Sequence, residues 1–208
     1  MALIRESKLV PLSNTASLHL TLTLGNTTRT RYDAKVRRFA ESFQKAWRRL
    51  PIRQRRVIVR WLRNSVRNVC YAASRKGPPL GIEAGKSIPI DLSPTRNVVV
   101  FVEVGTGKRP YRYGRCVAQT SRFGGIWFSA MTMNAPDPVL LNFQIHELLH
   151  FYCWGQWDIP DDGSENHSLS ETHIFIREEL DRMIPGVEET TDAWLESRRR
   201  SHFDKRKS

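Results

Sequence analysis

Apolar and polar positions alternate along residues 17–24. Leu18, Leu20, Leu22 and Leu24 fall on one face, and His19, Thr21 and Thr23 on the other. That period predicts a half-buried strand, with His19 turned to solvent and Gly25-Asn26 as the stop. From Tyr32 the period changes. Val36, Phe39, Phe43, Trp47 and Leu50 recur at helical spacing, and Pro51 both ends this helix and opens the next. Residues 52–74 predict a second helix, with Ile58, Leu62, Val66, Val69 and Ala73 on its buried stripe. Arg53, Arg55, Arg56, Arg60, Arg63 and Arg67 cover much of the rest, and Trp47, Trp61 and Tyr71 are interleaved with them.

Residues 76–94 are rich in Gly and Pro and read as a loop or linker. The β-branched run 97–104 predicts a strand buried on both sides. Gly105-Thr106-Gly107-Lys108 lacks the spacing of a phosphate loop and reads as a turn. Residues 115–121 and 125–133 predict two further strands. Asp137 and Pro138 then fit an N-cap and a first helical residue. The helix they open, about 139–154, carries Leu140, Leu141, Phe143, Ile145, Leu148, Leu149, Phe151 and Tyr152 around nearly its whole circumference. A helix apolar all round is buried. A polar loop, 155–166, leads to a last clear helix over about 168–183 with Thr172, Ile176, Leu180 and Met183 inward. The remainder, 188–208, reads as a basic, mobile tail.

The buried helix holds the candidate chemistry, His146-Glu147-Leu148-Leu149-His150. Side chains four apart share a helical face, so both imidazoles can address one ion. Placing two histidines and a glutamate in an apolar helix costs several kcal/mol, of order 2–7, unless they are paired or metal-bound. HExxH on a helix is the signature of zinc metallopeptidases. A catalytic zinc keeps three protein ligands and one open position, and Glu147 is placed as the general base. The third ligand is open among His167, Glu171 and His173. Glu171 also fits a capping box with Ser168. The spacing HExxHxxGxxH is absent, because Cys153 and Gln156 stand where it needs Gly and His. Cys153 as a thiolate ligand is disfavoured, since buried Cys is commonly a small hydrophobe.

The charge adds a partner to this picture. Among 208 residues, 33 are Lys or Arg against 21 Asp or Glu, a formal net charge of +12. Such a balance points to a polyanion, most simply nucleic acid, reached through the basic N-terminal helices and the C-terminal tail. Cys70, Cys116 and Cys153 are widely spaced and suggest free thiols in a reducing compartment. The charged N-terminus lacks the apolar core of a secretory signal, and no stretch has the length of a membrane span. The expectation is a cytoplasmic, nuclear or nucleoid-associated protein with no membrane partner.

The stretch 127–175 resembles the SprT-like zinc metalloproteases. The resemblance rests on Asn134-Ala135-Pro136-Asp137-Pro138 leading into Phe143-Gln144-Ile145-His146-Glu147-Leu148-Leu149-His150, then Asn166-His167-Ser168 with Phe175 beyond. It covers about a quarter of the chain, and no four-cysteine zinc ribbon follows. It implies Zn2+ on His146, His150 and His167, with Glu171 as the alternative third ligand, and Glu147 as the catalytic base. It also implies a peptide substrate, one associated with nucleic acid.

The expected fold is α+β and zincin-like: a small antiparallel or mixed sheet packed on the HExxH helix, with a basic helical N-terminal part. The expected division is 1–76 for the strand and basic helices, 77–187 for the peptidase core and 188–208 for the tail, or a single domain over 15–187. The expected activity is that of a zinc metalloendopeptidase acting on a protein or peptide. Residues 126–131, just before the active helix, are the candidate edge for β-addition of substrate. Tyr111, Tyr113, Arg115 and His173 are candidate oxyanion donors. Two competitors stand beside this: a basic nucleic-acid-binding protein with a structural metal, and a zincin with one narrow target.

Overall fold

A computed structural model describes residues 3–74, 97–105, 117–121, 124–157 and 171–204. In chain order these form β1 (Ile4–Ser13), β2 (Ala16–Leu24), α1 (Arg29–Arg49), α2 (Ile52–Arg63), α3 (Val66–Ser74), β3 (Val98–Gly105), β4 (Ala118–Ser121) and β5 (Gly125–Ser129). A 3-10 turn (Ala130–Asn134) then leads to α4 (Asp137–Trp157), α5 (Glu171–Met183) and α6 (Val187–Asp204). The architecture is α+β, with a mixed sheet in the order β1-β2-β3-β5-β4. The two outer pairs, β1/β2 and β4/β5, are antiparallel, and the inner pairs are parallel.

Strand period sets the core. Leu18, Leu20 and Leu22 lie beside Val100, Val102 and Val104, and the last two lie beside Ile126 and Phe128. All eight are buried, and they join one cluster with Phe39 and Phe43 of α1, Ile58 and Leu62 of α2, and Leu148 and Phe151 of α4. The same cluster extends to Ile176, Leu180 and Val187. Tyr32 pins α1 to the sheet: its hydroxyl donates to Leu22 O at 2.7 Å and accepts from Glu6 N at 3.1 Å.

Several elements differ from the sequence expectation. β1 has no apolar alternation to read, because it is a charged edge strand whose Arg5, Glu6 and Lys8 stay exposed. The second predicted helix is two helices. Asn64 and Ser65 close α2 with short backbone bonds to Trp61 O and Leu62 O, and Ser65 Oγ accepts from Asn68 N at 3.3 Å, capping α3. Val66, expected on the buried stripe, is exposed. Asn68 then serves β3 as a neighbouring strand would. Its side chain donates to Val99 O at 2.9 Å and accepts from Val99 N, beside the stretch of β3 that precedes the β5 pairing.

The predicted strand 125–133 stops at Ser129, whose hydroxyl and carbonyl bond Met131 N and Thr132 Oγ1 and turn the chain into the 3-10 turn. His19, expected in solvent, is buried beside the Phe101 ring, with centroids 5.5 Å apart. Burial lowers its pKa, Arg67 lowers it further, and Glu103 opposes them. Most of the expected tail, 188–208, is helical: Val187–Asp204 form α6. Asn142 of α4 donates to Thr191 Oγ1 at 2.8 Å and to Glu188 at 3.1 Å, which holds α6 on α4. The predicted linker over 76–94 lies outside the described residues. Among the described residues no helix is long and apolar enough to cross a membrane.

Candidate metal centre

α4 begins at Asp137 itself, the residue expected to cap it. Leu140 N bonds Pro136 O at 2.9 Å, so Asp137 sits in the first turn, where a carboxylate complements the helix dipole. Arg38 of α1 clamps this entry: its Nε donates to Asp137 Oδ1 at 2.9 Å and its NH1 to Met133 O at 2.9 Å. One turn further, Ser42 Oγ donates to Gln144 Oε1 at 2.6 Å, and Gln144 Nε2 to Phe39 O at 3.3 Å. These buried bonds fix the rotation of α4. Phe151 stacks on Trp61 of α2 on another flank, 5.3 Å between centroids.

With that rotation fixed, His146 and His150 lie one above the other, ring centroids 5.1 Å apart. α5 brings His173 against both, at 5.4 Å from His146 and 5.0 Å from His150. Among the described residues these are the one His/Cys/Asp/Glu group whose donor atoms all lie within 4.8 Å of one another. α5 positions His173 through its own stripe. Ile176 and Leu180, three and seven residues on, are fully buried and set the same face toward α4. The sequence places His173 near this stripe and leaves it third among the candidates. Glu171 is exposed in the first turn of α5 and does not join the group. His167 lies outside the described residues, as do Tyr111, Tyr113 and Arg115.

The donor set suits a divalent transition metal. Burial, then the neighbouring His173 and Arg177, lower the His146 pKa to about 3. Its imidazole is therefore neutral at physiological pH, the form that binds metal. Three imidazoles on two helices leave the remaining coordination position to other groups, as a catalytic zinc requires. Cys153 is not part of the set: it is buried, its thiol pushed up to about 12 by burial, and it behaves as a core residue.

Glu147 is buried and faces β4. Thr120 Oγ1 lies 3.1 Å from the Glu147 carbonyl oxygen and 2.5 Å from its Oε2. One hydroxyl hydrogen serves one acceptor at a time, and the short contact marks the carboxylate as the partner. The bond ties the carboxylate to the sheet. Thr120 escaped the sequence reading, although its signal was present. It lies beside Ile126 on an inward position of a strand, where a polar residue needs a partner. Arg177, one turn beyond His173, was also missed. It is held by Glu188 and Asp192 of α6, each at 3.3 Å.

The edge of the sheet differs from the expectation. Residues 126–131 do not offer a free edge: β5 is paired to β3 on one side and β4 on the other, and 130–131 belong to the 3-10 turn. Among the described residues β4 is the terminal strand on this side. Comparison with protein-family models, with curated proteins and with solved structures returned no match.

Proposed function

We propose that the protein is a zinc-dependent metallopeptidase of the SprT-like kind, with His146, His150 and His173 as the metal ligands and Glu147 as the general base. The observation that carries this reading is the meeting of three imidazoles from two helices beside a buried glutamate on the same turn. His146, His150 and His173 would hold the zinc, which when bound would supply Lewis-acid chemistry and lower the pKa of water to about 7. Glu147 takes the proton of the attacking water and returns it to the leaving amine. Thr120 keeps that carboxylate oriented between turnovers. Arg177, fixed by two carboxylates of α6, contributes positive potential at the histidine cluster. An extended peptide adds to the outer edge of β4, which lies directly against the Glu147 turn through Thr120.

Two measurements test the reading. Zinc analysis of the wild type beside His173→Ala, His167→Ala and Glu171→Ala is expected to show metal lost in His173→Ala alone. Zinc retained in His173→Ala and lost in either other variant overturns the ligand assignment. Glu147→Gln is expected to keep zinc and to lose cleavage of a denatured protein substrate by roughly 10²–10⁴-fold, the usual contribution of a positioned base. The competing reading, a nucleic-acid-binding protein with a structural metal, predicts zinc without cleavage in the wild type. The enclosed Glu147–Thr120 pair favours the peptidase, because a structural site needs no carboxylate held beside it.

A further inference from the structure

We propose that a cavity on α2, separate from the histidine cluster, seats the sugar-phosphate backbone of a single nucleic-acid strand. The cavity measures about 480 Å³, and Ile52, Arg55, Arg56, Val59, Arg60 and Arg63 form one wall. These positions follow the helical period, so they make one continuous face of α2. Trp47 of α1 and the Ser13 and Thr15 hydroxyls at the β1–β2 turn complete the lining. No carboxylate lines it. None of the four guanidiniums makes an ion pair among the described residues.

A second observation points to a missing acceptor. Trp47 Nε1 and Arg55 Nε are both buried donors without a hydrogen-bond partner among the described residues. Both side chains line this cavity. A buried donor left unpaired costs about 1–3 kcal/mol, so two in one cavity among four arginines mark a place for an anion. Guanidinium and indole N–H are donors only, and phosphate oxygens are acceptors only.

The shape argues for a strand. The volume is much larger than one phosphate group needs and falls within the range of small-ligand sites. Ile52, exposed at 61 %, gives apolar surface for a sugar or base beside the charges, over the buried Val59 and Trp47. Arg56, Arg60 and Arg63 are exposed and run about 10 Å along the helix, as a line of charge rather than a point. Basic tracks with apolar and aromatic contacts are the chemistry of single-strand binding. The opposite side of α2 carries Val57 and Trp61, which pack on α4, and Trp61 meets Trp154, itself 5.8 Å from the His150 ring. One helix therefore separates the arginine cavity from the metal centre.

The test is fluorescence anisotropy of the full chain with a labelled single-stranded 12-mer across a salt series. Arg55→Gln/Arg60→Gln is expected to weaken binding by roughly tenfold or more and to flatten the salt dependence, since charge-assisted phosphate contacts are lost. Arg31→Gln/Arg37→Gln, with equal charge removed from α1, is expected to change it less than about threefold. Equal losses in the two pairs overturn the site in favour of diffuse charge. No binding by the wild type overturns it, as does tighter binding to a duplex or to vesicles containing phosphatidylserine. Zinc content and peptidase activity are read in the same variants and are expected to stay unchanged. His146→Ala is expected to lose zinc and keep the strand, so failure of one site is distinguishable from failure of the other.

Discussion

α2 and α4 lie against each other and solve opposite problems. α4 is buried around most of its circumference, and its polar groups are enclosed with partners: Gln144 with Ser42, Asn142 with Thr191, Glu147 with Thr120. α2 buries Val57, Ile58 and Leu62 and turns its arginines outward. In α4 each polar residue is an exception that burial makes costly, so each demands a specific explanation. In α2 polar residues are what a surface face needs anyway, so arginine by arginine they say little. The difference teaches where chemistry can be read: a buried polar group identifies itself, whereas an exposed charge is informative only with its geometry. The α2 cavity becomes meaningful through two buried unpaired donors, not through its charge alone.

The largest expected effect strikes the buried helix. In metal-free protein, His146 stays neutral in the folded state down to about pH 3, whereas an unfolded histidine protonates near 6.5. Between those values the unfolded state binds more protons, so stability falls as pH drops below about 6.5 and is level above it for this group. The slope reaches at most about 1.4 kcal/mol per pH unit. Urea unfolding of chelator-treated protein across this range measures it, and His146→Gln is expected to flatten the profile. An unchanged slope in that variant would show that this ring does not set the pH dependence. Phe151→Ala is expected to cost about 3–5 kcal/mol, since a fully buried ring stacked on Trp61 is lost. Arg53→Ala, on the exposed side of α2, is expected to stay within about 0.5 kcal/mol. Comparable losses in these two variants would break the contrast between the helices.

Much of this asymmetry was legible in the sequence. The alternation of Leu18, Leu20 and Leu22, the helical stripe of Phe39, Phe43 and Trp47, and the apolar α4 with its two histidines all follow from local period. What escaped was set by tertiary contact. β1 is a strand because β2 offers an edge, not because its own pattern asks for one. His19 is buried because Phe101 and Arg67 come from β3 and α3, far along the chain. His173 joins the histidines through the packing of α5 on α4, which no spacing along the chain reports. Thr120 pairs with Glu147 only once β4 takes the end of the sheet. In each case the missing information was which surface another element covers.

A middle-sized effect tests the seam between the two helices. A Cβ on Gly155 would stand 2.9 Å from Trp61 Cβ, 3.0 Å from Val57 Cγ1 and 3.3 Å from Val57 O. Two of those atoms are close to the α2 backbone and one belongs to it, so the helices must part. Gly155→Ala is expected to cost about 1–3 kcal/mol by overpacking, against the small gain an alanine brings to a helix interior. A stabilised variant, read by urea unfolding, would show that α2 and α4 do not approach as closely as this contact requires.

A smaller effect concerns where α2 stops. If the helical stripe alone governed this region, residues 52–74 would continue as one helix, and Ser65 would be an ordinary interior position. The structure instead makes Ser65 a cap, with its hydroxyl accepting from Asn68 N and from Asn68 Nδ2 at 3.0 Å. That second bond also aims Asn68 at Val99, so the cap and the strand end are coupled. Ser65→Ala is expected to cost about 1 kcal/mol, the usual loss of a cap. Hydrogen exchange is expected to rise in α3 and at Val99, while α2 and α4 remain protected. If protection falls along α2 instead, the two segments behave as one helix and the arginine face is longer than the cavity that defines it.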